Sequence, residues 1–370
     1  MKIKTSTSQL STCLEIVEKA LPVRTTTPVI NNILLEIKHN DLVFSATNHE
    51  IFINASLNHE SDVTGKILLP PKVVDIIRYF PTDEVEIDIN SENYRLDIRG
   101  GTAHFNLFGS SYEDFPVTAF LNQGNPPEKF NIELIKLKKT LKEVIFAAST
   151  EETRPAFNGI LLNFSGNKLV LTSSDTYRLV VSEITDSSWS FKESRCLVPA
   201  KALREFLRIL DESHIEATIG YKDTYFSISY GNIFFASRLL EEKYPDVSGV
   251  IPQAYETRVV IDKKSLENTI SRASLLAQGK NQAVNVIARE GQFEVKVSSQ
   301  EGSMEEVIPV DYEGEDVDLF VNSRFVLDIL KIIDSDKIII EFHGDGGPIV
   351  FKLEENNAYL YLVLPIKKVN

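Results

Sequence analysis

The sequence is poor in most of the patterns that announce chemistry or a particular compartment. Its 370 residues hold two cysteines, one tryptophan and two methionines. No stretch approaches the ~18 consecutive apolar residues of a membrane-spanning helix. The opening segment, MKIKTSTSQLSTCLEIVEKAL, has no apolar core of signal-peptide length. A cytoplasmic protein is expected. Cys13 and Cys196 fall on a helix face and in the lead-in to a strand, which places them as buried free thiols rather than a disulfide or a redox pair.

Enzyme motifs are missing as well. There is no GxxxxGK[ST], no GxGxxG after a strand, no HExxH, no CxxC and no Ca²⁺-loop pattern. The histidines (His39, His49, His59, His104, His214, His343) are scattered without metal-ligand spacing. Asp175 stands beside Ser173 and Ser174, but no histidine accompanies that phrase. The Gly344–Gly347 cluster reads as a hairpin turn, not a phosphate cradle. No catalytic residue, metal or cofactor is expected. Basic charge is the last shortage: 39 Lys and Arg against 53 Asp and Glu give −14. Taken whole, that balance argues against a nucleic-acid partner, which favours a basic excess to replace phosphate counterions.

What the chain does have is a repeat. LLPPKVVDIIRYFP from Leu68, CLVPAKALREFLRIL from Cys196 and LFVNSRFVLDILKII from Leu319 align without gaps. Each is a β-like lead-in, then Pro70, Pro199 or Asn322 as a helix opener, then an amphipathic run. VINNILLEI from Val29 matches AFNGILLNF from Ala156, with AVNVIAR from Ala283 as a weaker third copy. LVFSATNHEIFI from Leu42 matches LVLTSSDTYRLVV from Leu169, and Phe293–Ser299 follows as the third. Three units result, spanning 1–120, 128–248 and 256–370, with loop-like stretches between them.

Periodicity within unit one predicts strand 2–6, helix 8–20 and strands near 30–38, 41–46, 50–57 and 64–69. Helix 71–79 and strands 85–90, 93–99 and 102–108 complete it. The fold class is α+β: two helices and about eight antiparallel strands per unit.

The phrases RTTTPVINNILLEI, SSDTYRLV, EEKYPDV and the ending YLVLPIKK, in this order and spacing, resemble the bacterial DNA polymerase III β subunit, the sliding clamp. The resemblance covers essentially the whole chain. It implies a head-to-tail homodimeric ring around duplex DNA with helices lining the lumen, and no catalytic activity. It also implies a pocket that receives short peptides from polymerases and the clamp loader. Helix packing at 8–10 Å fits that stoichiometry. Six helices enclose too little space for a duplex, whereas twelve leave roughly 25–28 Å.

Division of the charge by element changes its meaning. The six helices together carry +8 and the rest of the chain −22. In the helix from Ala200, Lys201, Arg204 and Arg208 share one face while Leu203, Phe206, Leu207 and Leu210 form the apolar stripe. A solvated face explains any single helix; six with a summed excess of this size, in a chain this acidic, suggest a phosphate-facing surface. The candidate DNA contacts are Lys72, Arg78, Lys138, Lys142, Lys201, Arg204 and Arg324 on helices, with Arg24, Arg154 and Lys280 on loops. The resemblance points to Arg24 and the loop around Arg154.

The resemblance also implies the remaining sites. The peptide pocket would take Phe157, Ser174, Tyr177, Arg178, Leu179, Pro245, Val250, Asn322, Phe325, Leu362, Val363, Leu364, Pro365 and Ile366. The last five belong to an apolar run with no partner strand of its own in the sequence. Many clamps have Gly-His or Ser-His where this chain has Thr176-Tyr177, and a basic residue in place of Gly249. Lys367–Asn370 extend past the usual end. The seam between copies would bring Phe105 and Leu107 against Leu275 and Leu276. A repeat-built scaffold that binds proteins without encircling DNA is the rival reading.

Overall fold

The computed structural model describes residues 1–116, 128–211, 213–222, 224–279, 281–344, 346–354 and 358–367. Repeat one opens with β1 (Lys2–Ser6), and Ser6 caps helix α1 (Thr7–Glu18) by accepting from the Gln9 amide. Leu10, Cys13, Leu14 and Val17 form the buried stripe of α1, the i, i+3, i+4, i+7 spacing of an amphipathic helix. A 3₁₀ turn over Pro28–Asn31 precedes β2 (Ile33–Ile37), which corrects the continuous strand expected over 30–38. The turn forms because Pro28 presets its first residue and the Asn32 side chain donates back to Pro28 O at 3.2 Å.

Strands β3 (Asp41–Thr47), β4 (Ile51–Asn58) and β5 (Gly65–Leu69) follow, then α2 (Lys72–Arg78) and β6 (Glu84–Ile89), β7 (Arg95–Gly100) and β8 (Ala103–Phe108). Leu10 and Leu14, Val73 of α2, and Leu35, Phe44, Ile87 and Ile98 from the strands surround one packed core. Full burial of one such side chain contributes about 1.5–3 kcal/mol.

Repeat two runs through β9 (Glu128–Glu133), α3 (Leu134–Ile145), β10 (Gly159–Gly166), β11 (Lys168–Ser174), β12 (Arg178–Thr185) and β13 (Phe191–Pro199). It ends with α4 (Ala200–Ile209), β14 (Glu216–Lys222), β15 (Tyr225–Tyr230) and β16 (Ile233–Arg238). Repeat three comprises β17 (Thr257–Asp262), α5 (Lys263–Ser274), β18 (Ala283–Arg289), β19 (Gln292–Ser299) and β20 (Gly302–Pro309). Then come β21 (Asp311–Gly314), β22 (Val317–Asn322), α6 (Ser323–Leu330), β23 (Lys337–Phe342), β24 (Ile349–Leu353) and β25 (Tyr359–Val363). Asp262 and Asn322 cap α5 and α6. Between β23 and β24, Gly344 and Gly346 take positive φ in the expected hairpin turn.

Four antiparallel sheets result among the described residues. Their orders are β1-β6-β7-β8, β5-β2-β3-β4-β16-β15-β14-β9, β13-β10-β11-β12-β25-β24-β23-β17-β21 and β20-β19-β18-β22. Two of them cross repeats, because β4 pairs with β16 and β12 pairs with β25. The chain accordingly packs as two units, Met1–Ile135 with Lys201–Leu239, and Lys136–Ala200 with Leu240–Asn370. Repeat two contributes to both. Sequence similarity and packing thus divide the chain differently.

Candidate functional site

The β3–β4 and β11–β12 turns repeat each other bond for bond. Thr47 Oγ1 donates to Ile51 O at 2.7 Å, and Ser174 Oγ donates to Arg178 O at the same distance. The amides of His49 and Thr176 donate to those hydroxyls at 3.1 and 3.0 Å. Asn48 Oδ1 accepts from Glu50 and Ile51, as Asp175 Oδ1 accepts from Tyr177 and Arg178. Both turns hold a non-glycine residue in the left-handed region, His49 at φ 72° and Thr176 at φ 78°. For a β-branched residue that conformation is strained. The side-chain bonds, with Arg154 Nη1 donating to Thr176 Oγ1 at 2.8 Å, hold it there.

The turns differ in the residue that follows. Ile51 is buried among apolar neighbours, whereas Arg178 places a buried charge in the second unit, only 7% exposed. All three guanidinium nitrogens are used. Nε donates to Asp175 Oδ2 at 2.9 Å, Nη1 to Asp328 Oδ2 at 2.6 Å and Nη2 to Phe146 O at 3.0 Å. The group also lies over the Phe325 ring, 4.5 Å from its centroid, and 5.2 Å from that of Phe146. Burial alone lowers the pKa of a guanidinium, yet Tyr361 and the Asp328 and Asp175 carboxylates together outweigh it and the net shift is upward. Arg178 is therefore a fixed internal cation with its donors engaged. It was expected to face a peptide; here it positions Asp175, Asp328 and Phe325.

Around this cation the expected pocket residues separate into floor and rim. Leu179 and Leu362 face each other across the β12–β25 ladder and pack with Val350. Val181, Val247, Ile251 and Leu360 lie against that cluster. The C-terminal run, expected to lack a partner strand, is corrected: β25 lies between β12 and β24, burying Leu362 and Val363. Its partner escaped the sequence because it belongs to another repeat. Beyond β25 the chain keeps hold of the site, with Leu364 N donating to Tyr177 O at 2.9 Å and Ile366 N to Phe320 O at 2.8 Å. Tyr177 (61% exposed), Val250 (53%) and Leu364 (43%) offer apolar surface at the rim. Pro245 is exposed, and Pro365 and Ile366 are half-buried. Phe157 sits edge-on to the buried Tyr244 ring at 5.5 Å. Ser174 is buried and bonds its own turn, whereas Asn322 is half-buried and caps α6.

Comparison with known proteins matches three models in succession. They are the N-terminal, central and C-terminal domains of the DNA polymerase III beta subunit, at residues 1–119, 131–246 and 248–367. The chain belongs to the DNA polymerase III β subunit family. The beta sliding clamps of Staphylococcus epidermidis and Staphylococcus aureus are each 31% identical over 361 residues, covering 94% of both chains. The Bacillus subtilis clamp structure superposes with a TM-score of 0.93 at 27% identity, over 100% of this chain and 99% of that one. The Thermotoga maritima β subunit gives 0.89 at 25% identity, over 99% of each. This protein is thus a sliding clamp, a non-catalytic processivity subunit of a DNA polymerase.

The clamp's basic helices are less uniform than their summed charge. Arg78 is tied to Glu15 at 3.2 Å, Glu18 at 3.2 Å and Asp75 at 3.3 Å, and Lys72 pairs with Asp75 at 3.0 Å. The helices of repeat one therefore largely neutralise each other. On α3 the one acid, Glu143, is buried and accepts from Ser182 Oγ at 2.7 Å, leaving Lys136, Lys139 and Lys142 on the exposed side. Lys138 and Arg204 are half-buried, and burial lowers the Arg204 pKa. Arg24, Arg154, Lys201 and Arg324 are exposed, Lys201 lying 3.8 Å from Glu50. Lys280 and Lys368–Asn370 lie outside the described residues.

At the expected seam, β8 is the edge of its sheet, with Phe105 and Phe108 exposed and Leu107 half-buried. Leu275 caps α5 and is 80% exposed, and Leu276 follows it, half-buried. Asp328, Phe146, Val247, Ile251 and Val350 lie around this cation and the Leu179–Leu362 cluster and were not singled out in sequence, and Asp175 was considered there only as a companion of Ser173 and Ser174. Asp328 had been counted as an ordinary helix charge. Among the described residues, no helix is long and apolar enough to cross a membrane.

Proposed function

We propose that two copies of this clamp close head-to-tail into a ring around duplex DNA and tether polymerase subunits and the clamp loader through the Leu179–Leu362 pocket. One observation carries the reading: the strand pairing between repeats. β16 joins β4 with Phe235 opposite Ile53, and β25 joins β12 with Tyr361 opposite Val180. Arg238 N donates to Glu50 O at 2.8 Å in the first junction, and Leu364 N to Tyr177 O at 2.9 Å in the second. By the same repeat positions β8 corresponds to β16 and β25, and β20 corresponds to β4 and β12. In their sheets β8 and β20 are edges. Antiparallel addition of β8 to the β20 of a second copy continues the pattern, with Phe105 opposite Met304 and the Phe108 amide on Glu301 O. An edge strand bearing exposed Phe105 and Phe108 favours such a partner.

The lumen contacts follow as candidates rather than a fixed set. Lys136, Lys139 and Lys142 on α3 and Lys201 on α4 supply exposed positive charge, joined by Arg24, Arg154 and Arg324. Lys72, Lys138, Arg204 and Lys280 are secondary candidates, and Arg78 is discounted by its three carboxylates. Such contacts attract phosphates without reading bases, and the acidic remainder discourages DNA from the outside. The pocket, an apolar floor with a partly polar rim, suits a short peptide carrying aliphatic anchors. The protein acts in the cytoplasm, at replicating DNA. Loading onto nicked circular DNA followed by linearisation tests the ring. A clamp stays on the circle and slides off the linear form, whereas a scaffold never loads.

A further inference from the structure

The seam register places His104 in a defined electrostatic setting. His104 lies directly opposite Arg99 on β7, and its Nε2 is 3.0 Å from Asp97 Oδ1. Arg99 and Arg95 also approach Asp97, at 3.9 and 3.2 Å. Glu86 on β6 stands opposite Arg99. Asp88, also on β6, stands opposite Asp97, so within its own chain His104 faces two arginines and three carboxylates on one exposed sheet face.

Repeat geometry supplies what the second copy adds. Phe234 of β16 stands opposite Asn54, and Leu360 of β25 stands opposite Val181. The residues equivalent to Asn54 and Val181 are fixed by their neighbours: Asn54 pairs with Ser45, Val181 with Thr172 and Glu305 with Lys296. His104 occupies the place of Phe234 and Leu360. We propose that His104 pairs across the seam with Glu305 of the partner subunit and makes ring closure sensitive to pH. This rests on the ring reading above.

The sign follows from the charges that arrive together. Glu305 is held at 3.4 Å from Lys296, which also bonds Glu294 at 2.9 Å. Arg289 on β18 also acts on Glu294 and is itself paired with Asp316 at 3.6 Å, so the incoming cluster carries one net negative charge, with Glu305 nearest to His104. It attracts the protonated imidazolium and not the neutral ring, so the protonated form and ring closure favour each other. The pair therefore strengthens closure at acidic pH and fades as pH rises past the ordinary histidine range of about 6.5. The side chain of His104 is 47% exposed, so salt screens the interaction and the effect is modest. Separation of the ring into two monomers breaks two seams, so the pair counts twice.

Dilution of the full chain at pH 5.5 and pH 8.0, followed by mass photometry or sedimentation, reads the dimer dissociation constant. The wild-type constant is expected to rise with pH about fivefold more than that of His104→Gln or Glu305→Gln. His104→Arg keeps tight association at both values. A pH response identical in wild type and His104→Gln overturns the proposal while leaving the ring intact. A protein that is monomeric at micromolar concentration and both pH values, across all variants, removes the ring reading and this inference with it.

Discussion

The Arg178 guanidinium lies 2.6 Å from the Asp328 carboxylate, across 150 residues of sequence, joining the β11–β12 turn to helix α6. That bond fixes Phe325 and the turn carrying Tyr177 in one arrangement. Arg178→Ala leaves the half-buried Asp328 and Asp175 without their cation, a loss of about 3 kcal/mol at most. The expected readout is a lower first unfolding transition, with weaker binding of an apolar clamp-binding peptide. Arg178→Lys is not expected to restore it, because one ammonium cannot serve three acceptors in a planar fork. A peptide affinity lost without any change in unfolding would instead make Arg178 a direct ligand contact.

The seam register is open to covalent capture. Asn106 of one copy and Ser303 of the other are expected to stand opposite each other at about 5.5 Å between Cα atoms, within disulfide range. Asn106→Cys with Ser303→Cys should yield a covalent dimer on mild oxidation, seen on a non-reducing gel. Burial raises the native Cys13 thiol to about 11 and Cys196 to about 12, so neither competes. Cross-linking by Asn106→Cys with Met304→Cys in preference would mean a register shifted by one. Separately, Phe105→Ala with Leu276→Ala should give monomers by light scattering.

DNA affinity should depend on salt through the exposed lysines. Lys142→Ala with Lys201→Ala is expected to reduce the slope of log K against log salt by about 1.8, two phosphate contacts' worth. Arg78→Ala should leave that slope unchanged and instead lower thermal stability, since it removes the tie between α1 and α2. Equal slopes for all three proteins would move the DNA-facing surface elsewhere.

Glu143 offers a stability test in the opposite direction. Burial raises its pKa, partly offset by the hydrogen bond from Ser182 and the charge of Lys139. A raised folded pKa means that its favourable contribution is present at low pH and is lost as pH rises through that value. Glu143→Gln should therefore raise the melting temperature at pH 7.5 by about 2 °C. The gain should shrink as the pH falls toward 4.5. A gain that is constant with pH would show that the carboxylate's ionisation does not matter.

The triplication was legible because the helix openers Pro70, Pro199 and Asn322 and the phrases around Ile33 and Ile160 obey local rules. Turn chemistry at Asn48 and Asp175 was likewise written in short-range pattern. What escaped is non-local. The partner strand of β25 is β12, in another repeat, so Leu362 and Val363 read as an unattached run. Arg178 and Asp328 look like surface charges until the fold brings them together. Glu143 and Arg78 entered the charge sum at full weight, though one is buried and the other neutralised. Charge counted along a helix does not say which charges reach solvent.

The strand pairing has a consequence for assembly. In the proposed seam an edge of the β20 kind accepts an edge of the β8 kind, so every contact leaves one β8 and one β20 edge free. Such unlike-edge association ends only when the chain of subunits bends back on its own start. In the proposed ring, closure therefore depends on the twist built into the β4–β16 and β12–β25 pairings as well as on the seam itself. A substitution that flattened either junction could convert a soluble ring into a fibre without altering a single seam residue.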